Sequence, residues 1–331
     1  MGDEVSRHTH AATFLPGRFY CLLDELPMHL VPRPALRAIE SRNSDNEDLL
    51  LNPECRLMAA DDLPEELDSA TEIVKSFALQ GTMAWVRDTA GGGLLPFWLG
   101  PKFAAHLGQL RASRSVGPIP RDAVRTLAAA GIFVAEGWSV HARRLRDEMI
   151  STAGAMFRLR GYAPLPGLIH PFHVAALRRY YRYLIRSGSI HLGDGQSPLR
   201  YIAHNDPVAR FFHQQIAPVL SAVTGEPLKP SYVYLASYLN GAELRKHTDR
   251  EQCEFSITLC LDFSPEPELA TPWPIKLDTR SGTVSVHQAL GDGLAYRGTI
   301  LPHYRDPLGA GQTSTSIFFH YVSSDFKGSM D

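Results

Sequence analysis

Two short stretches of this chain carry side chains whose types and spacing suit metal chemistry. The first is Arg245-Lys246-His247-Thr248-Asp249-Arg250; the second is Leu301-Pro302-His303-Tyr304-Arg305, with His303 standing 56 residues after His247. In extended backbone residues i and i+2 share a face, so His247 and Asp249 can offer an imidazole nitrogen and a carboxylate oxygen to one ion. A histidine from a distant strand closes the triangle. Two histidines and one carboxylate on one side of an ion leave the opposite positions open, which suits ferrous iron activating oxygen with a co-substrate. The expected metal ligands and catalytic residues are therefore His247, Asp249 and His303. A lone His-x-Asp is common by chance, and His303 or the Arg305-Asp306 pair taken singly reads equally well as a loop histidine or a surface ion pair. Placement is what separates the two readings: a strand and a turn containing Gly241 precede the first stretch, and Gly291-Asp292-Gly293-Leu294-Ala295-Tyr296 precedes the second.

Other chemically suggestive residues read as structural. His170-x-x-His173 brackets Pro171 at a helix start, where capping or packing is the simpler role. His287 and His320 fall on expected strands as core or barrel-lip residues. Gly91-Gly92-Gly93 is followed by Leu94-Leu95-Pro96 rather than by Lys-Ser/Thr, so it reads as a turn and not a phosphate cradle. The four cysteines, Cys21, Cys55, Cys253 and Cys260, include no C-x-x-C pair and read as reduced, mostly buried thiols.

The elements that must position the triad follow from local pattern. From Tyr232 onward the chain is a series of short runs rich in β-branched and aromatic residues: Tyr232 to Tyr238, Glu254 to Leu261, Ile275 to Leu277, Thr283 to Val286, Gly293 to Tyr296 and Ser314 to Val322. Strands at this spacing indicate a sandwich or jelly-roll barrel. Before them come a strand at Gly161 to Leu168, a helix at His170 to Ser187, and a helix from Pro207 to about Thr224 with Asp206 as its N-cap. Further upstream, helices are expected at Leu67 to Leu79, Pro118 to Gly131 and Val140 to Phe157, with a brief strand at Ile132 to Val134. The expected fold class is α+β, with a C-terminal jelly roll, flanking helices and a mainly helical N-terminal domain. Residues 1–12 are expected to form a flexible N-terminus, 13–150 an accessory or substrate-recognition domain, and 155–328 the barrel domain.

Composition narrows the function classes. The chain has 331 residues, 44% apolar and 21% charged, with Lys+Arg 33 against Asp+Glu 35. That is too apolar for a disordered chain and too evenly charged for a polyelectrolyte binder, so no nucleic-acid partner is expected. Apolar runs break well before eighteen residues and the N-terminus opens acidic, so neither a membrane partner nor a secretory signal is expected, and cytoplasmic localisation follows by default.

The residues Tyr238-Leu239-Asn240-Gly241-Ala242-Glu243, His247-Thr248-Asp249, Gly291-Asp292-Gly293, His303 and Ser316-Ile317-Phe318-Phe319, in that order, resemble the 2-oxoglutarate- and iron(II)-dependent dioxygenases, in particular the branch related to prolyl 4-hydroxylases. Gly161-Tyr162-Ala163-Pro164-Leu165-Pro166-Gly167 followed by a helix is similar to the entry of such catalytic domains, and the resemblance covers residues 158–326. It implies a double-stranded β-helix that holds Fe(II) through His247, Asp249 and His303, with 2-oxoglutarate as co-substrate and O2 as oxidant. An amino acid, peptide or small metabolite, with a carboxylate as one option for its polar group, would be hydroxylated or otherwise oxidised.

One departure stands out. Family members carry an Arg or Lys at the start of the last strand for the distal carboxylate of 2-oxoglutarate, whereas here the stretch reads Gly311-Gln312-Thr313-Ser314-Thr315-Ser316. A buried dianion needs a cation, and Arg305 is the first choice, since it shares an extended face with His303 and its planar fork suits a carboxylate. Arg250 and Arg245 compete for the role; Tyr238, Thr313, Ser314 and Ser316 are candidate hydroxyl donors. Two other readings stay open: a non-catalytic barrel that binds metal or a small acid as a sensor, and a 2-oxoglutarate-independent metal oxygenase or isomerase of the cupin type.

Overall fold

The structure, a computed structural model, describes residues 17–41, 49–59, 62–74, 76–78, 81–89, 91–106 and 119–330. The expected flexible N-terminus at 1–12 lies outside these residues.

The C-terminal half is built from two antiparallel sheets. The larger has seven strands in the order β6-β14-β11-β16-β9-β8-β7: Tyr162–Leu165, Gly293–Arg297, Phe255–Ser264, Thr313–Ser323, Leu228–Tyr238, Arg200–His204 and His191–Leu192. The smaller has four in the order β10-β15-β12-β13: Leu244–His247, His303–Arg305, Ile275–Thr279 and Gly282–Val286. Their inner faces meet through a buried cluster in which Ile275 and Leu277 of the small sheet pack with Leu294 and Tyr296 of the large one. This apposition is consistent with the expected jelly roll.

Two helices cover the outer face of the large sheet. Helix α6 (Pro207–Thr224) begins where the sequence places it: the Asp206 carboxylate accepts from the backbone N–H groups of Val208 and Ala209, both at 3.1 Å, and Pro207 takes the first helical position. Gly225, at φ 76°, ends it in the left-handed conformation that glycine adopts without penalty. Helix α5 (Pro171–Arg186) is capped by His170, whose Nδ1 accepts from Phe172 N–H. His173 is buried with Nε2 on Pro96 O at 2.8 Å, so neither member of the His-x-x-His pair is offered to a metal.

The N-terminal part departs from the mainly helical expectation. It contains helix α1 (Arg33–Ser41), the single turn α2 (Thr71–Val74), α3 (Arg121–Ala129) and the long α4 (Trp138–Arg160). It also contains a three-stranded antiparallel sheet, β2 (Arg56–Ala59), β3 (Thr82–Arg87) and β4 (Leu94–Leu99), and a two-stranded pair, β1 (Leu49–Leu51) with β5 (Phe133–Ala135). The reason is burial. Every residue of β4 and four consecutive residues of β3 are buried, and strands covered on both faces show no alternation to betray them. The glycine triplet is the hairpin turn between β3 and β4, as read. Where a helix was expected at 67–79, the chain forms a 3-10 segment at Glu65–Ala70 and the single turn α2.

One apolar core includes residues of both parts, from Phe19, Trp85 and Trp98 through Phe172 and Phe212 to Phe255 and Tyr321. A buried ionic network adds a second link. Arg178 of α5, its side chain 1% exposed, donates to Asp262 and Glu266, both at 2.9 Å, and to the Leu30 carbonyl. Glu266 also accepts from the Arg33 backbone, and Glu268 pairs with Arg33 and Arg37 of α1. The segment joining β11 to β12, which carries Trp273, is thereby tied to the N-terminal part. No helix among the described residues is long and apolar enough to cross a membrane.

Removing one partner of a buried pair strands the other charge away from water. In Arg178→Ala the Glu266 carboxylate loses its guanidinium while Asp262 keeps Arg182 at 2.6 and 2.9 Å, so the variant is expected to lose about 1–3 kcal/mol of unfolding free energy. Chemical denaturation measures this, and a loss under about 1 kcal/mol would mean that the network contributes no more than a surface pair.

Candidate metal centre

The register of the small sheet assembles the triad. His247 ends β10, His303 begins β15, and the two are direct cross-strand partners whose ring centroids lie 4.4 Å apart. Asp249 follows two residues after His247, held by its backbone N–H on the Gly298 carbonyl at 2.9 Å. Its Oδ1 stands 3.6 Å from His247 Nε2 and 3.5 Å from His303 Nε2. One donor atom from each residue therefore lies within 4.8 Å of the others.

The histidine tautomers are fixed by backbone. Nδ1 of His247 lies 2.7 Å from the Arg245 carbonyl and Nδ1 of His303 lies 3.0 Å from the Leu301 carbonyl. A carbonyl only accepts, so each Nδ1 carries the proton and each Nε2 turns a lone pair toward Asp249. Burial opposes ionisation of Asp249, but when the two imidazoles are protonated their Nε2–H groups outweigh it and hold the carboxyl far below its usual range; a metal ion takes the place of those two protons. The donor set fits a divalent ion: two neutral imidazoles and one carboxylate. Among the described residues no group of four donors closes on one point. A second trio shares Asp249 with Cys253 and His320. Its thiol is pushed up to about 12 by burial and lies 3.0 Å from the Tyr232 hydroxyl, so it is a protonated neighbour rather than a thiolate ligand.

Two residues that support the triad escaped the sequence reading. Ser256 on β11 faces His320 on β16 in register, and its Oγ lies 3.0 Å from Asp249 Oδ2 and 2.9 Å from His320 Nδ1. A serine has one proton to give. Asp249 only accepts, so Ser256 donates to it and accepts from a protonated His320 Nδ1. The chain His320 to Ser256 to Asp249 occupies Oδ2 and leaves Oδ1 for the ion, which favours monodentate ligation. His320 read as a core histidine because nothing in the sequence pairs it with Ser256; only the sheet register does. Gly298 is the other missed residue. A Cβ there would stand 2.3 Å from both Asp249 Oδ2 and the Cys253 carbonyl.

The expected co-substrate residues separate into two groups. Arg305 shares the inward face of β15 with His303, as its spacing requires, and is 4% exposed. It donates from Nη1 to the Trp273 carbonyl at 2.7 Å and from Nη2 to Gln288 at 3.5 Å, lies over the Trp273 ring, and has no partner at Nε. No carboxylate pairs with it among the described residues, and burial lowers its pKa. Tyr238 is fully buried against Trp273, with ring centroids 5.1 Å apart. Ser314 is the register partner of Tyr238, and Ser316 that of Cys260. On β11 the alternation Ser256, Thr258, Cys260 puts all three on the face that reaches Asp249. The hydroxyls of Thr258 and Ser316 are buried without a partner. Arg305, Tyr238, Ser314 and Ser316 thus belong to the inner wall of the barrel. Thr313 instead is exposed at the start of β16, on the face of Thr315, which bonds Ser237. Arg250 is exposed beside Tyr232 at a cavity mouth, and Arg245 pairs with Glu243 at the surface. The cavity, about 470 Å³, opens over the triad.

Comparison of the sequence with protein-family models and with curated proteins gives no match. Among solved structures the chain is similar to several 2-oxoglutarate/Fe(II) oxygenases. One is the non-heme α-ketoglutarate-dependent epimerase SnoN of nogalamycin biosynthesis, at 15% identity and TM-score 0.46 over 54% of this chain and 82% of that one. A prolyl-4-hydroxylase from Pseudomonas putida aligns at 17% identity and TM-score 0.44 over 53% of this chain and 99% of that one. HygX from Streptomyces hygroscopicus, with nickel, 2-oxoglutarate and hygromycin B bound, aligns at 13% and 0.42 over 52% and 87%.

Loss of an outer-shell partner typically weakens metal binding about 10- to 100-fold. Ser256→Ala is expected to raise the Mn(II) dissociation constant by at least about tenfold, measured by titration of the metal-free protein. Gly298→Ala is expected to do worse, because its methyl collides with the ligand itself. An unchanged Mn(II) affinity in Ser256→Ala would mean that Asp249 is positioned by other means.

Proposed function

We propose that this chain is an Fe(II)- and 2-oxoglutarate-dependent oxygenase built on a double-stranded β-helix, with residues 155–328 as the catalytic domain and 13–150 as an accessory part. The observation that carries the reading is Arg305. A guanidinium taken out of water without a counter-charge is costly by several kcal/mol. Here it shares a three-residue strand with a metal-type histidine and lies on a wall with unpartnered buried hydroxyls. A small dianion with one end on the metal and the other on Arg305 supplies the missing charge. Of the two ends of 2-oxoglutarate, the keto acid suits the metal and the distal carboxylate suits the arginine fork.

In this reading His247, Asp249 and His303 hold Fe(II), and the backbone carbonyls of Arg245 and Leu301 keep the imidazoles turned toward it. Arg305 takes the distal carboxylate through Nε and Nη2, while Tyr238, Ser316 and Thr258 supply hydroxyl donors. The bound iron and co-substrate provide the oxidising chemistry, with 2-oxoglutarate split to succinate and carbon dioxide as O2 is consumed. The protein contributes orientation of the iron, the co-substrate and the unactivated carbon that is oxidised. The substrate is a small molecule or a peptide side chain held in the cavity over the triad, and hydroxylation is the simplest outcome.

Succinate release from 2-oxoglutarate with Fe(II) and O2 tests the reading, since a sensor binds both without producing succinate and a cupin-type oxygenase needs no 2-oxoglutarate. Asp249→Ala is expected to lose iron retention and succinate formation together. Arg305→Ala is expected to raise the 2-oxoglutarate concentration for half-maximal turnover by at least about tenfold while Mn(II) affinity holds. An unchanged 2-oxoglutarate requirement would take the role away from Arg305, and full activity in Asp249→Ala would remove the triad.

A further inference from the structure

The cavity over the triad is asymmetric in the charges it has left to offer. Two carboxylates line it among the described residues, Asp194 and Asp249. Asp194 is saturated. Its Oδ1 accepts from the backbone N–H groups of Gln196 and Ser197 at 2.9 and 2.8 Å, and its Oδ2 accepts from Arg200 Nε at 3.1 Å, from Arg200 Nη2 and from the Tyr234 hydroxyl at 2.8 Å. Burial opposes its ionisation, yet these donors bring the carboxyl down to about 2. Asp249 gives Oδ2 to Ser256 and, in the oxygenase reading, Oδ1 to the metal. A cationic substrate therefore finds no carboxylate with an open lone pair.

The cations are less committed. Arg200 spends Nε and Nη2 on Asp194 and Gln196, and its Nη1 makes only a 3.4 Å contact with the Tyr238 hydroxyl. Arg250 makes no ion pair among the described residues; its single hydrogen bond runs from Nη2 to the Tyr232 hydroxyl at 3.1 Å. From Arg250 a continuous aromatic wall runs inward. The guanidinium lies 5.6 Å from the Tyr232 ring, Tyr232 lies 4.7 Å from His320, His204 lies 4.6 Å from Tyr234, and Tyr234 lies 6.2 Å from Phe318. His320 in turn touches Ser256, which touches Asp249, so the wall ends at the metal site.

We infer that the cavity takes a substrate with an anionic group on a flat, apolar body: Arg250 receives the carboxylate or phosphate at the mouth, the body lies along Tyr232, Tyr234 and Phe318, and the carbon to be oxidised points at the triad. This rests on the oxygenase reading and assigns Arg250 to the substrate rather than to the co-substrate. Rings offer the dispersion contact that a planar body needs, and an arginine fork recognises either anion.

The test uses the full chain loaded with Mn(II) and saturated with 2-oxoglutarate, so that Arg305 is already occupied. Phenylacetate, phenyl phosphate and phenethylamine, matched in size but not in charge, are titrated by ligand-detected NMR. At least one of the two anions is expected to bind at least about tenfold more tightly than the amine, and the stronger of them identifies the preferred group. In Arg250→Gln the preference is expected to fall to within about twofold while Mn(II) and 2-oxoglutarate are retained, which separates lost recognition from lost folding. The amine binding as well as either anion, neither anion binding at millimolar concentration, or a preference that survives in Arg250→Gln would overturn the inference. Wild-type protein that holds neither Mn(II) nor 2-oxoglutarate would instead overturn the oxygenase reading beneath it.

Discussion

The Arg305 guanidinium sits in the barrel wall with two neutral oxygens, one indole face and no carboxylate among the described residues. A buried charge held by neutral partners alone is costly, and a bound anion would relieve that cost. His303 and Arg305 occupy alternate positions of a strand only three residues long, and that strand is registered against β10, which carries His247. A slip of one residue would turn His303 and Arg305 out of the barrel together. The spacing between His303 and Arg305 is therefore set by backbone geometry rather than by flexible side chains, which suits the two-ended ligand proposed above.

Around that strand the protein spends its polar groups on orientation. Backbone carbonyls hold the histidine tautomers, Ser256 holds one oxygen of Asp249, and His320 holds Ser256. The absence of a side chain at Gly298 lets the loop carrying Asp249 approach this closely. The N-terminal part enters the same structure from outside. Its helix α1 meets Glu266 and Glu268 in the segment between β11 and β12, and that segment delivers the Trp273 ring and carbonyl to Arg305. The two parts share an apolar core as well, so the N-terminal part also buttresses one wall of the barrel.

Much of the site was legible because it depends on local spacing. Arg305 at i+2 from His303 shares its face by the period of a strand alone, Asp249 stands two residues past the end of β10 and is brought to the histidines by its N–H on the Gly298 carbonyl, and Asp206-Pro207 announces a helix start by capping chemistry. What was illegible depends on pairing at a distance. Ser256 and His320 are 64 residues apart and meet only through the register of β11 with β16. Strands β7, β8, β10 and β15 are short or carry mixed polarity, so no periodicity marks them. Strands β3 and β4 failed for the opposite reason: buried on both faces, they offer unbroken apolar runs without alternation.

The claim at the centre of this account is that one small dianion bridges the metal site and Arg305. A crystal structure of the protein grown with Mn(II) and 2-oxoglutarate tests it most directly. Mn(II) is expected on His247, Asp249 and His303, with the keto-acid end of 2-oxoglutarate on the metal and its far carboxylate on Nε and Nη2 of Arg305. Metal bound with a fourth protein ligand in place of the keto acid, or 2-oxoglutarate seated with Arg305 still unpaired, would contradict it.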